Sequence, residues 1–126
     1  MTLTNILAAV DRFPQDEAVL VRALEIAKRH GAALTIVHII DLPADTTLPT
    51  GIDTLKGQAE FAARDRINEA VRKLGTVAVD IEIRIEGGSP ALRLIEICNE
   101  LGPDLIVMRA HQRIGIAESI LGSTTD

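Results

Sequence analysis

The chain has no tryptophan and no tyrosine, and only two phenylalanines, Phe13 and Phe61. Sites for single-stranded nucleic acid stack bases on aromatic faces, which this sequence cannot supply. It also lacks a basic excess: 13 Lys and Arg stand against 18 Asp and Glu, a net charge of −5. Without a basic stripe there is no electrostatic footprint for nucleic acid, and none is expected as a partner. The single cysteine, Cys98, excludes an internal disulfide and any cysteine-cluster metal site. His30, His38 and His111 have no metal-ligand spacing, so no structural metal is expected. No apolar run approaches the roughly 20 residues of a membrane span. The opening Met1-Thr2-Leu3-Thr4-Asn5 has no positive region and runs directly into a strand pattern. It therefore does not read as a signal peptide, and the expected location is the cytoplasm, with no membrane partner.

What is present suits one globular domain. The chain has 126 residues, 47% apolar and 25% charged, enough for one core. Ile6-Leu7-Ala8-Ala9-Val10 and Leu34-Thr35-Ile36-Val37-His38-Ile39-Ile40 are continuous apolar runs of the kind buried on both faces of a sheet. Between them, residues 15–30 place Leu20, Ala23, Leu24 and Ala27 at helical spacing. Acids begin that segment, Lys28-Arg29-His30 end it and Gly31 stops it, as the helix dipole and glycine caps favour. Pro43 and Pro49 mark a loop, and a long helix is predicted over 53–74. Its candidate inner positions include Leu55, Ala59, Ala62, Ala63, Ala70 and Leu74.

A third strand reads differently. Val77, Val79, Ile81, Ile83 and Ile85 alternate with Ala78, Asp80, Glu82 and Arg84. One wet, charged face suits a sheet edge. Glu86-Gly87-Gly88 reads as a turn. Ser89 and Pro90 then start a helix with an inner stripe of Ala91, Leu94, Ile95, Cys98 and Leu101. Gly102-Pro103 ends it, and Asp104 to Met108 forms a fourth strand. The order βαβαβαβ predicts an α/β fold: an open, doubly wound parallel sheet with helices on both faces and strand order 3-2-1-4. Ligands of such sheets sit beyond the C-terminal strand ends, where the order reverses. Here that points to Asp11, Ile39-Ile40 and the segment after Met108.

Each candidate has a plainer role beside the chemical one. Asp11 can accept hydrogen bonds from an adenine amino group or a ribose hydroxyl, or simply bond nearby backbone amides. Gly122-Ser123-Thr124 is either an anion site at a helix start or a capped turn. Arg109, His111 and Arg113 either meet phosphate oxygens or are solvated loop charges. His38 and Cys98 read as structural, Cys98 as core filler. No Walker lysine loop and no G-x-G-x-x-G is present.

Taken together, Ile6-Leu7-Ala8-Ala9-Val10-Asp11, Val37-His38-Ile39-Ile40-Asp41, Glu86-Gly87-Gly88-Ser89-Pro90 and Asp104-Leu105-Ile106-Val107-Met108 resemble, in kind and order, the universal stress protein family. The resemblance covers nearly the whole chain. It implies an adenine-nucleotide (ATP, ADP or AMP) binding protein of stress response or signalling, homodimeric, with at most slow ATP hydrolysis. It places Ala9, Asp11 and Ile39 around adenine and ribose with Met108 beside them, and Arg109, Gln112, Gly122, Ser123 and Thr124 around the phosphates. Two departures stand out. Arg109 and Gln112 occupy the positions of the family's first two motif glycines, while Gly122-Ser123 keeps the last part. After them only Thr124-Thr125-Asp126 follow, so residues 1–126 read as one domain of the family, truncated before a final helix and fifth strand. The competing expectations are a nucleotide-free homodimeric interaction module of the same fold and, third, an adenylating enzyme. The last wants a Ser/Gly-rich loop after the first strand, which Arg12-Phe13-Pro14-Gln15 does not supply.

Overall fold

Four strands of the apolar runs assemble side by side in a parallel sheet, in the order β3-β2-β1-β4. A computed structural model describes residues 3–41, 50–75 and 78–110, and for 50–56 the backbone alone, so the Leu55 side chain lies outside it. The strands are β1 (Asn5–Ala9), β2 (Ala33–Asp41), β3 (Ile81–Gly88) and β4 (Leu105–Met108). They alternate with α1 (Glu17–His30), α2 (Thr50–Leu74) and α3 (Pro90–Leu101). Ala9 is the pivot of the register, paired with Val37 on one side and Met108 on the other. The predicted strand order is thus the observed one, with β3 at one edge.

Alternation along each strand fills two cores, one per face. Ile6, Ala8 and Val10 of the first strand segment, with Leu34, Ile36 and Val107, meet the α1 stripe of Val19, Leu20, Ala23, Leu24 and Ala27. Ile67 and Ala70 of α2 join the same core. Leu7, Val37 and Ile39 face the other way, onto Ile97 of α3, with Leu94, Cys98 and Leu101 packed around them. Gly31 closes α1 in the left-handed region at φ 64°, its N–H donating to the Ala27 carbonyl. That geometry is one that glycine enters without a Cβ penalty.

Several local expectations need correction. The third strand starts at Ile81, after Val79 and Asp80, while Val77 lies outside the described residues; Gly87 and Gly88 extend the strand, pairing with Ile40 and Asp41, instead of turning. Among the described side chains of α2 the buried apolar residues are Ile67 and the expected Ala70, whereas Ala62 is exposed and Leu74 is 37% exposed. In α3 the buried residue is Ile97, while Ile95 is 57% exposed. Helix α3 is apolar around much of its girth; Leu94, Cys98 and Leu101 of the expected stripe do pack on the sheet, and its crossing over β2 and β3 puts Ile97 in the place expected for Ile95. Ser89 does occupy the N-cap, but its side chain makes no cap hydrogen bond.

That same crossing changes the charged face of β3. Arg84 and Glu86 are half-buried beneath α3, not solvated. Arg84 Nε donates to Glu86 Oε2 at 2.9 Å and its Nη1 to Glu100 Oε2 at 2.7 Å, while Arg93 pairs with Glu86. The bond to Arg84 holds the Glu100 carboxyl below its ordinary range. At the opposite end of the sheet, Asp104 Oδ2 accepts hydrogen bonds from Thr4 N–H, Thr4 Oγ1 and Asn5 N–H at 2.9–3.0 Å. One carboxylate thereby ties the start of β1 to the approach of β4.

Candidate functional site

Helices α1 and α2 cover one face of the sheet and α3 covers β2 and β3 on the other, so a crevice opens where β1 and β4 diverge in connection. It lies at the C-terminal strand ends, measures about 260 Å³ and is mostly apolar. Ala9, Asp11, Ile39, Met108 and Arg109 all line it. These five come from three strand ends and were expected together. Gln112, Gly122, Ser123 and Thr124, like His111 and Arg113, lie outside the described residues.

Strand alternation explains the apolar lining. Ala9, Val37 and Ile39 point to the α3 face, and Leu94 of α3 meets them there. The small Ala9 side chain leaves the floor of the crevice open between larger neighbours. Pro90 and Ala91, the first turn of α3, form its rim.

The polar end is built around a residue that the sequence reading used only as a helix-start acid. Asp16 precedes α1 and is 2% exposed. Its Oδ2 accepts the backbone N–H groups of Asp11 and Arg12, at 2.6 and 2.8 Å. The carboxylate thus folds the loop after β1 back on itself and fixes Asp11 at the crevice. Its other oxygen, Oδ1, lies 2.9 Å from Arg109 Nε. The two atoms are close enough for an ion pair, yet neither makes a well-directed hydrogen bond among the described residues. The Asp11 side chain is solvated, 61% exposed, with Arg12 Nε at 3.9 Å. A contact that exposed and long contributes little. The spacing of Asp16 five residues after a strand-end aspartate, across a loop whose amides need acceptors, was the signal available for it.

His38 belongs to the scaffold. Its Nδ1 lies 3.0 Å from the Val10 carbonyl oxygen and steadies the end of β1. Cys98 packs in the α3 core, where burial pushes its thiol pKa up, away from a reactive thiolate. Among the described residues no group of three His, Cys, Asp or Glu side chains could hold a metal ion. No helix there is long and apolar enough to cross a membrane.

Fold and crevice define an α/β domain of the doubly wound type with its cleft at the switch point. The chain belongs to the universal stress protein family, whose model it matches over residues 2–126. It is 31% identical over 132 residues to a Staphylococcus haemolyticus protein named as a universal stress protein, covering 100% of this chain and 78% of that one. A Staphylococcus aureus counterpart is 30% identical over 129 residues, covering 100% and 77%. Among solved structures it is similar to the universal stress protein UspA from Lactobacillus plantarum. The TM-score is 0.72 at 25% identity, covering 99% of this chain and 94% of that chain. It is also similar to a universal stress protein in complex with cAMP, with TM-score 0.65 at 25% identity, covering 98% and 86%.

Proposed function

We propose that the crevice binds an adenine nucleotide and that the protein acts by binding, in stress response or signalling in the cytoplasm, and not through a conventional catalytic cycle. The observation that carries this is the convergence of Ala9, Asp11, Ile39, Met108 and Arg109 on one apolar crevice at the switch point. A volume of about 260 Å³ lies just under the range of about 300–1,000 Å³ common for ligand sites, and suits a base with its ribose. With no aromatic side chain in the described lining of the crevice, the base is held between aliphatic surfaces, with the polarisable Met108 thioether at one side. Asp11 accepts hydrogen bonds from the ribose or the adenine amino group, and Arg109 meets phosphate oxygen. Gln112, Gly122, Ser123 and Thr124 complete the phosphate end by family resemblance. A relative in the same fold was solved with cAMP, which supports a nucleotide of this class.

A second role, as a nucleotide-free homodimeric module, is favoured by one observation. Strand β4 has a single neighbour, β1, among the described strands, so its outer edge can pair with a second copy. Dimerisation by itself is compatible with nucleotide binding, so the two readings part on whether the crevice takes up nucleotide. The binding assignment is tested on protein purified gently and treated with nuclease. Bound adenine would dominate the near-ultraviolet spectrum, because the chain has no Trp or Tyr. Empty protein should melt at a higher temperature when nucleotide is added, since a ligand selective for the folded state stabilises it. No adenine absorbance together with no thermal shift for adenosine, AMP, ADP or ATP would leave the interaction module as the function.

A further inference from the structure

We infer that Glu86 is a positioning residue for the crevice. Through Arg93 it holds the first turn of α3, and with it the Pro90–Ala91 rim, against the sheet, without itself lining the cavity. The role rests on the nucleotide assignment above and extends it to a residue outside the crevice lining.

The need for such a hold comes from the way α3 meets the sheet. Pro90, Ala91 and Leu94 line the crevice. Yet Pro90, Ala91 and Leu92 are exposed, and Arg93 and Leu94 are only half-buried. The buried anchor of the helix, Ile97, comes about two turns after Pro90. Ser89 adds no side-chain cap hydrogen bond. Apolar packing therefore grips the middle of α3 more firmly than the end that forms the crevice wall.

Glu86 stands where that end can be reached. In the register of the sheet it is the partner of Ile39, a wall residue of the crevice, and neighbours in register share a face. Its side chain lies under α3 and is 17% exposed. Both carboxylate oxygens are engaged. Oε2 accepts hydrogen bonds from Arg84 Nε and Nη2, at 2.9 and 2.5 Å, and Oε1 faces Arg93 Nη2. Arg93 lies between Ala91 and Leu94 in the chain, so its pair with Glu86 fixes the height of the rim over the sheet. A half-buried pair is screened less than an exposed one. Removing either partner leaves a poorly solvated charge, which the helix end can rehydrate only by shifting. The bond from Arg84 Nη1 to Glu100 Oε2, at 2.7 Å, is a similar contact at the far end of the same helix, away from the crevice lining. It serves as an internal control.

Calorimetric titration of the full chain with AMP, ADP and ATP, well below the melting temperature, tests the role. For the nucleotide that wild type binds most tightly, Glu86→Gln and Arg93→Gln should each weaken binding by about three- to tenfold. The double variant should lose no more than the larger single loss, because the two residues act as one pair. Glu100→Gln, which loosens the far end of the helix, should leave the affinity unchanged. In ligand-free protein the Ala91 and Leu94 methyl signals should move in Glu86→Gln and stay in place in Glu100→Gln, a difference that a general loss of stability would not produce. If Glu86→Gln does not fold, by its melting curve, Arg93→Gln and the same methyl signals decide. Wild-type affinity in Glu86→Gln and Arg93→Gln, or an equal loss in Glu100→Gln, overturns the positioning role and leaves the nucleotide assignment standing. No binding of any of the three nucleotides by wild type overturns both.

Discussion

Asp16 Oδ1 lies 2.9 Å from Arg109 Nε, so the carboxylate that folds the loop after β1 also holds the first residue after β4. Two segments far apart in sequence are joined at the mouth of the crevice by one side chain. Asp16→Ala removes the acceptor of two backbone N–H groups and leaves the partly buried Arg109 without its counterion. The expected loss of stability is about 1–3 kcal/mol, measured by urea unfolding.

Helix α3 offers a paired test of which face meets the sheet. Ile97 is fully buried and Ile95 is 57% exposed. Ile97→Ala should cost about 2–5 kcal/mol. Ile95→Ala should change stability by no more than about 0.5 kcal/mol. Equal costs would mean that the helix is rotated from the orientation described.

Acid should weaken the tie between β1 and β4. Hydrogen bonds from the Thr4 backbone, the Thr4 hydroxyl and the Asn5 backbone hold the Asp104 carboxyl below its ordinary value of 3.8. A depressed folded pKa gives stability that is fully present above the unfolded value. That stability is lost as pH falls from near 3.8 through the lower folded value. Glu100, lowered by Arg84, acts in the same direction. Asp104→Asn should therefore be less stable than wild type at neutral pH and should lose less on acidification, as followed by denaturant midpoints across pH.

The free edge of β4 predicts self-association. Light scattering over a concentration series should show a dimer, and the backbone amides of Leu105–Met108 should exchange more slowly as concentration rises. A monomer at high concentration with those amides already protected would remove the β4 interface.

The sheet was legible because its strands differ in kind. Continuous runs such as Ile6–Val10 need cover on both faces, whereas the charges alternating through Glu82 and Arg84 suit an edge, and those two facts order the sheet. The site's location followed from the switch-point rule, which pointed to Asp11, Ile39 and the segment after Met108, while Ala9 and Met108 as lining came from the family resemblance. Asp16 was overlooked because an acid at a helix start already has an adequate explanation in the dipole. Only the folded loop shows that its carboxylate bonds the amides of Asp11 and Arg12. In the α3 stripe Leu94, Cys98 and Leu101 were placed correctly, and Ile95 was taken for Ile97 for a related reason. Leu92, Leu94, Ile95, Ile97 and Cys98 allow more than one apolar face, and the crossing angle over β2 and β3, which no local pattern encodes, chooses between them.

The most direct measurement of the central claim is a methyl NMR titration of the intact chain with AMP, observing alanine, isoleucine, leucine and methionine side chains. The account predicts that the Ala9, Ile39, Leu94 and Met108 methyl signals move together and saturate, while those of the outward-facing Leu92 and Ile95 stay in place. Unmoved crevice methyls at saturating AMP, or shifts confined to residues elsewhere, would contradict nucleotide binding at this site.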